Sequence, residues 1–81
     1  MNAEQALKIT ADTVRLDATL TGEAPNLNRL TFWLSELSYG RKWIGATWSH
    51  CVPRDIIRTA ADITTQTHTA AQLLTIVAEG K

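Results

Sequence analysis

Only two prolines, Pro25 and Pro53, interrupt this chain of 81 residues. Proline fixes its own φ and lacks the amide N–H that a helix interior requires. The two positions therefore divide the chain into three segments. In each, apolar residues recur at intervals of three and four, the period of a helix packed on a core, not of a strand. The expectation is an all-α single domain, a three-helix up-down-up bundle with helices at about 3–20, 28–50 and 53–79.

In the first segment Asn2 is a candidate N-cap, with Gln5 at capping-box spacing. Ala3, Leu7, Ala11, Val14 and Ala18 share one face, widened by Ile9, Leu16 and Leu20. Glu4, Lys8, Asp12 and Arg15 alternate in sign on another, as on a solvated stripe. Gly22 and Pro25 end the helix. The second segment starts at Asn26 or Asn28, and Leu27, Leu30, Leu34 and Leu37 set its rhythm. Gly40 is a possible break, but the rhythm continues in phase through Ile44, Trp48 and Cys51, which favours one helix to about His50. In the third, Pro53 suits a first helical position. Ile56, Ala60, Ile63, Thr67, Ala70, Leu74 and Val77 read as one repeat. Thr69 and Gln72 offer a second capping box, so a break near Thr67 is the alternative. Ala60, Ala70 and Gly45 are small enough to let helices approach closely.

So short a chain keeps much apolar surface near water. With one cysteine, Cys51, no intrachain disulfide can offset this, and a lone thiol fits a reducing compartment. A partner chain is the expected aid, and an oligomer the expected state. Lys plus Arg and Asp plus Glu are 8 each, for a net charge of zero. That balance disfavours general nucleic-acid binding, which draws its affinity from phosphate neutralisation, and it removes a barrier to self-association. The N-terminus MNAEQALKIT lacks the pattern of a signal peptide, and no apolar run reaches the roughly 20 residues of a membrane span. A cytoplasmic location is expected.

The second segment carries a further apolar stripe. On a continuous helix Phe32, Tyr39, Trp43 and His50 fall within about 40° of one another, away from Leu30, Leu37 and Trp48. A small bundle cannot bury opposite faces of one helix, and large exposed aromatic patches mark interaction sites. At the C-terminal end Leu73, Leu74, Ile76 and Val77 point around most of the circumference. Phe32, Tyr39, Trp43, His50, Leu73 and Ile76 are thus the expected partner-binding residues, for a second copy or another protein. Size and style suggest an inhibitor of a host protein, of the kind that phages and mobile elements encode.

Other chemistry is weakly supported. His50 adjoins Cys51, but neighbours on a helix diverge by about 100°, so no nucleophile pair forms between them. Zinc needs about four ligands in paired spacings, and one cysteine with two histidines does not supply them. The glycines at 22, 40, 45 and 80 form no phosphate loop. The carboxylates read as members of solvated faces. No catalytic residue, metal or cofactor is expected. Arg41 and Lys42 beside Trp43 form a possible anion site, at an oligomer interface if one exists. Residues 56–74 allow a helix-turn-helix reading, with a turn at 64–66 and Thr67, Thr69 and Gln72 presented to DNA. That stretch lacks Lys and Arg beyond Arg58 and lacks a turn glycine.

Overall fold

The structure, a computed structural model, describes residues 1–39 and 54–79. Among these residues there are four helices and no strand: α1 (Ala3–Thr21), α2 (Leu27–Tyr39), α3 (Arg54–Thr67) and α4 (Ala70–Glu79). The expected third helix is two, and whether α2 continues through Gly40 lies outside the described residues. None of the described helices is long and apolar enough to cross a membrane.

The helix ends follow local chemistry. The Asn2 side chain accepts from the Gln5 amide at 2.8 Å, and Gln5 Oε1 accepts from the Asn2 amide at 3.1 Å. This capping box satisfies amides that have no partner within the helix. Gly22 ends α1 in the left-handed region at φ 72°, where its amide donates to the Ala18 carbonyl. That conformation costs glycine little, because it has no Cβ. Asn26, not Asn28, caps α2: its Oδ1 accepts from the Arg29 amide at 2.9 Å.

The break between α3 and α4 is built the same way. The Thr67 hydroxyl donates back to the carbonyls of Ile63 and Thr64. Thr69 Oγ1 then accepts from the Gln72 amide at 3.1 Å, while Gln72 Oε1 accepts from the Thr69 amide at 2.8 Å. Threonine competes well for backbone groups at helix ends, and a new N-cap here outweighs continuation. The interruption resets the helical phase. The repeat through Ile56, Ile63 and Thr67 is therefore not the core stripe of α3: Ile56 is exposed, and Ile57, Ala60, Ala61 and Thr64 are buried. Thr64 to Gln66 lie inside α3, so the turn required for a helix-turn-helix at 64–66 is absent there.

Packing divides into two seams. One is apolar, where Ala11 and Val14 of α1, Leu30 of α2 and Leu73 and Val77 of α4 form a buried cluster, with Leu7, Leu34, Ala70, Leu74 and Ile76 against it. In the other, Ile57 and Ala61 of α3 meet Ile9 and Leu34, and among the described helices the most extensive contact is that of α1 with α3. Its centre is polar: the Thr10 and Thr64 hydroxyls, both fully buried, lie 3.2 Å apart. Helix α1 is thus buried along Ala6, Thr10, Thr13 and Asp17 as well as along Ala11 and Val14. Of the expected face, Ala3 is exposed and Leu7 and Ala18 are half-buried.

Candidate functional site: the outer face of α2

Helix α2 turns Leu30 fully inward, whereas Phe32 is 49% exposed. Two residues on a helix differ by about 200°, so these side chains leave on nearly opposite sides. Leu34 lies half-buried on the inner side, against both clusters, and Asn28, Thr31 and Ser35 are exposed. The inner side is fixed by the core, and Phe32 stays on the outer side at a cost to solvation.

Phe32 is not held by apolar contacts alone. The Arg29 guanidinium lies over its ring, 5.5 Å from the centroid, within the range of a cation–π interaction. Arg29 is itself anchored. Its Nε donates to Asp17 Oδ2 at 2.9 Å and its Nη2 donates to Oδ1 at 3.0 Å. This two-bond fork joins α1 to α2, with the Asp17 side chain 1% exposed and that of Arg29 31% exposed. The planar guanidinium matches a carboxylate in two parallel bonds, which fixes orientation as well as distance. The hydrogen bond to Asp17 is the main cause that raises the Arg29 pKa above its ordinary value. Arginine thus stays charged across the working pH range. A buried carboxylate, a guanidinium and a half-exposed ring form one relay from the interior to the surface.

Sequence periodicity missed this relay. It classed Asp17 with the solvated carboxylates, and the structure corrects that to a buried group. The available signal was an aspartate in phase with Ala6, Thr10 and Thr13, on a face that looks polar but is buried. Asp12, in contrast, lies on the expected charged stripe, paired with Lys8 at 2.8 Å and Arg15 at 3.0 Å. Arg15 also donates to the carbonyls of Ile76 and Val77, at 3.1 and 3.3 Å. It thereby places a cation at the negative end of α4.

The expected partner residues separate on this framework. Phe32 is at the surface. Position 39 ends α2 about two turns further on, in nearly the same angular register, while the Tyr39 side chain lies outside the described part. Trp43, His50, Arg41 and Lys42 also lie outside the described residues. Leu73 is 1% exposed and belongs to the protein's own core, and Ile76 is half-buried beside it. Leu73 and Val77 both face the core from α4.

A shallow groove of about 570 Å³ runs beside the N-terminal half of α1, with Leu7, Ala11 and Ile76 among its lining and Lys8 and Arg15 at its edge. Both cations are already engaged by Asp12. His68 Nδ1 lies 2.8 Å from the Thr67 hydroxyl at the α3–α4 turn. Among the described residues no group of three His, Cys, Asp or Glu side chains is placed to hold a metal ion. No protein-family model, curated protein or solved structure matches the chain.

Proposed function

We propose that this protein is a non-enzymatic interaction module that docks through the outer face of α2, with Phe32 at its centre. One observation supports the reading above others: a large aromatic ring, half in water, stands opposite a fully buried leucine on a 13-residue helix. Aromatic residues are enriched at interface centres, and anchors fixed before binding lose less entropy on association. The Asp17–Arg29 fork provides that fixing. Binding and thereby modulating a partner protein is the activity such a surface serves.

Site-specific photocrosslinking tests this directly. A photoreactive phenylalanine analogue replaces Phe32 in the cell that makes the protein, and the same analogue at exposed Thr75 on α4 is the control. Irradiation is expected to give a discrete protein adduct from position 32 and none from position 75. The absence of a discrete adduct at position 32, with the protein folded and abundant, overturns the reading.

A further inference from the structure

We infer that α4 is a strap, which undocks and redocks as one unit while α1, α2 and α3 stay packed, and that Arg15 is the clasp holding its far end. Helix α4 is ten residues long. A helix of that length is marginal in water by itself, so it depends on docking Leu73 and Val77 against Ala11, Val14 and Leu30. Its start does not depend on α3. The reciprocal bonds between Thr69 and Gln72 cap it afresh, and residues 68 and 69 form a joint outside both helices. The ties among the other helices bypass it. Ile57 and Ala61 of α3 pack on Ile9 and Leu34, the Thr10 and Thr64 hydroxyls meet at 3.2 Å, and the Asp17–Arg29 fork joins α1 to α2.

The far end of α4 is held from outside. No Lys or Arg lies in its last turn, where carbonyls run out of amide partners and a cation is favoured. Arg15 of α1 supplies both needs. Its Nη2 donates to the Ile76 carbonyl at 3.1 Å and its Nε to the Val77 carbonyl at 3.3 Å, while Nη1 donates to Asp12 at 3.0 Å. The chain thus holds α4 at the joint, and a guanidinium fixed to α1 holds the opposite end. Release of that clasp leaves a short helix on Leu73 and Val77 alone. Its departure uncovers Ala11, Val14 and Leu30, together with the groove beside α1 that Ile76 lines.

Native-state hydrogen exchange of the full chain in low urea tests this amide by amide. A partial opening exposes less surface than global unfolding, so exchange through it depends less on urea. In wild type the amides of Leu73, Ile76 and Val77 are expected to be less protected than those of Thr10 and Ala61, with the weaker urea dependence. Arg15→Met keeps the apolar stem and removes the donors, and is expected to speed exchange of the α4 amides about tenfold. Ile57→Val weakens only the α1–α3 seam, which stays formed when α4 leaves. It is expected to speed exchange at Thr10 and Ala61 about fivefold and to leave the α4 amides unchanged. If Ile57→Val speeds the α4 amides equally, or if wild-type α4 shares the urea dependence of Ala61, the chain opens as one unit and the strap is overturned. Unchanged exchange of α4 in Arg15→Met overturns the clasp.

Discussion

The two seams that α1 makes differ in how they are filled. Toward α2 and α4 it presents Ala11 and Val14 to Leu30, Leu73 and Val77, an apolar contact of ordinary side-chain size. Toward α3 it presents the Thr10 hydroxyl, 3.2 Å from that of Thr64, and Ile9, packed against Ile57 and Ala61. In the first seam, stability comes from apolar area removed from water. The second adds to its apolar contact a pair of fully buried hydroxyls. Burial follows from where a side chain lies in the packed bundle, and a threonine whose hydroxyl finds a partner is an acceptable core residue.

Substitutions can break this contrast. Leu30→Ala, in the large-residue seam, is expected to cost about 3 kcal/mol, as cavity-forming truncations do. Thermal denaturation should show Tm lower by roughly 12 °C or more. Next are the two ends of the fork between the seams. Arg29→Ala leaves the carboxylate of Asp17, 1% exposed, without its cation, whereas Asp17→Ala leaves a guanidinium that can turn to water. Arg29→Ala is therefore expected to lower Tm on the order of 10 °C and Asp17→Ala by less. Equal effects would show that Asp17 rehydrates once its cover is gone. Because the Arg29 pKa is raised in the fold, the stabilisation linked to it is complete below the unfolded value. It is lost only as pH rises through the folded value, in strongly alkaline solution, so Arg29 adds no slope to a stability profile near neutrality.

The α1–α3 seam should fail in the opposite sense. Ala61→Leu adds volume where Ile57, Ile9 and Leu34 already close the space, and a loss of about 2 kcal/mol is expected in chemical denaturation. An unchanged midpoint would mean the α1–α3 approach is looser than described. The smallest effect belongs to the hydroxyl pair. Thr64→Val alone leaves Thr10 without its buried partner and should cost about 1 kcal/mol. Adding Thr10→Val should recover most of it, since two apolar groups of the same shape carry no unmet polar demand. Additive losses in that double-mutant cycle would show that the hydroxyls do not pair.

Much of this was legible in advance. The caps at Asn2, Gly22 and Thr69 act over three or four residues, so their effect is readable in a short string of letters. Phe32 also stood out, because a helix with a buried Leu30 must send a side chain two positions away to the other side. Leu73 was expected at the surface because apolar side chains ring the C-terminal turn, and local spacing does not tell which of them the other helices cover. Asp17 was misplaced because hydropathy counts carboxylates as outside, and nothing within one helical turn of Asp17 announces Arg29, which lies across the α1–α2 connection.

The helical class, the helix ends at Asn2, Gly22 and Thr69 and the amphipathic sense of α2 were written in short stretches of the chain, because each depends on residues within about one turn of one another. Packing between helices set which stripe of α1 meets α3, paired two threonine hydroxyls inside it, and buried Asp17 against Arg29. Those outcomes depend on groups distant in the chain. A polar side chain is stable in the interior only when a partner arrives from another helix, and local periodicity does not specify that arrival.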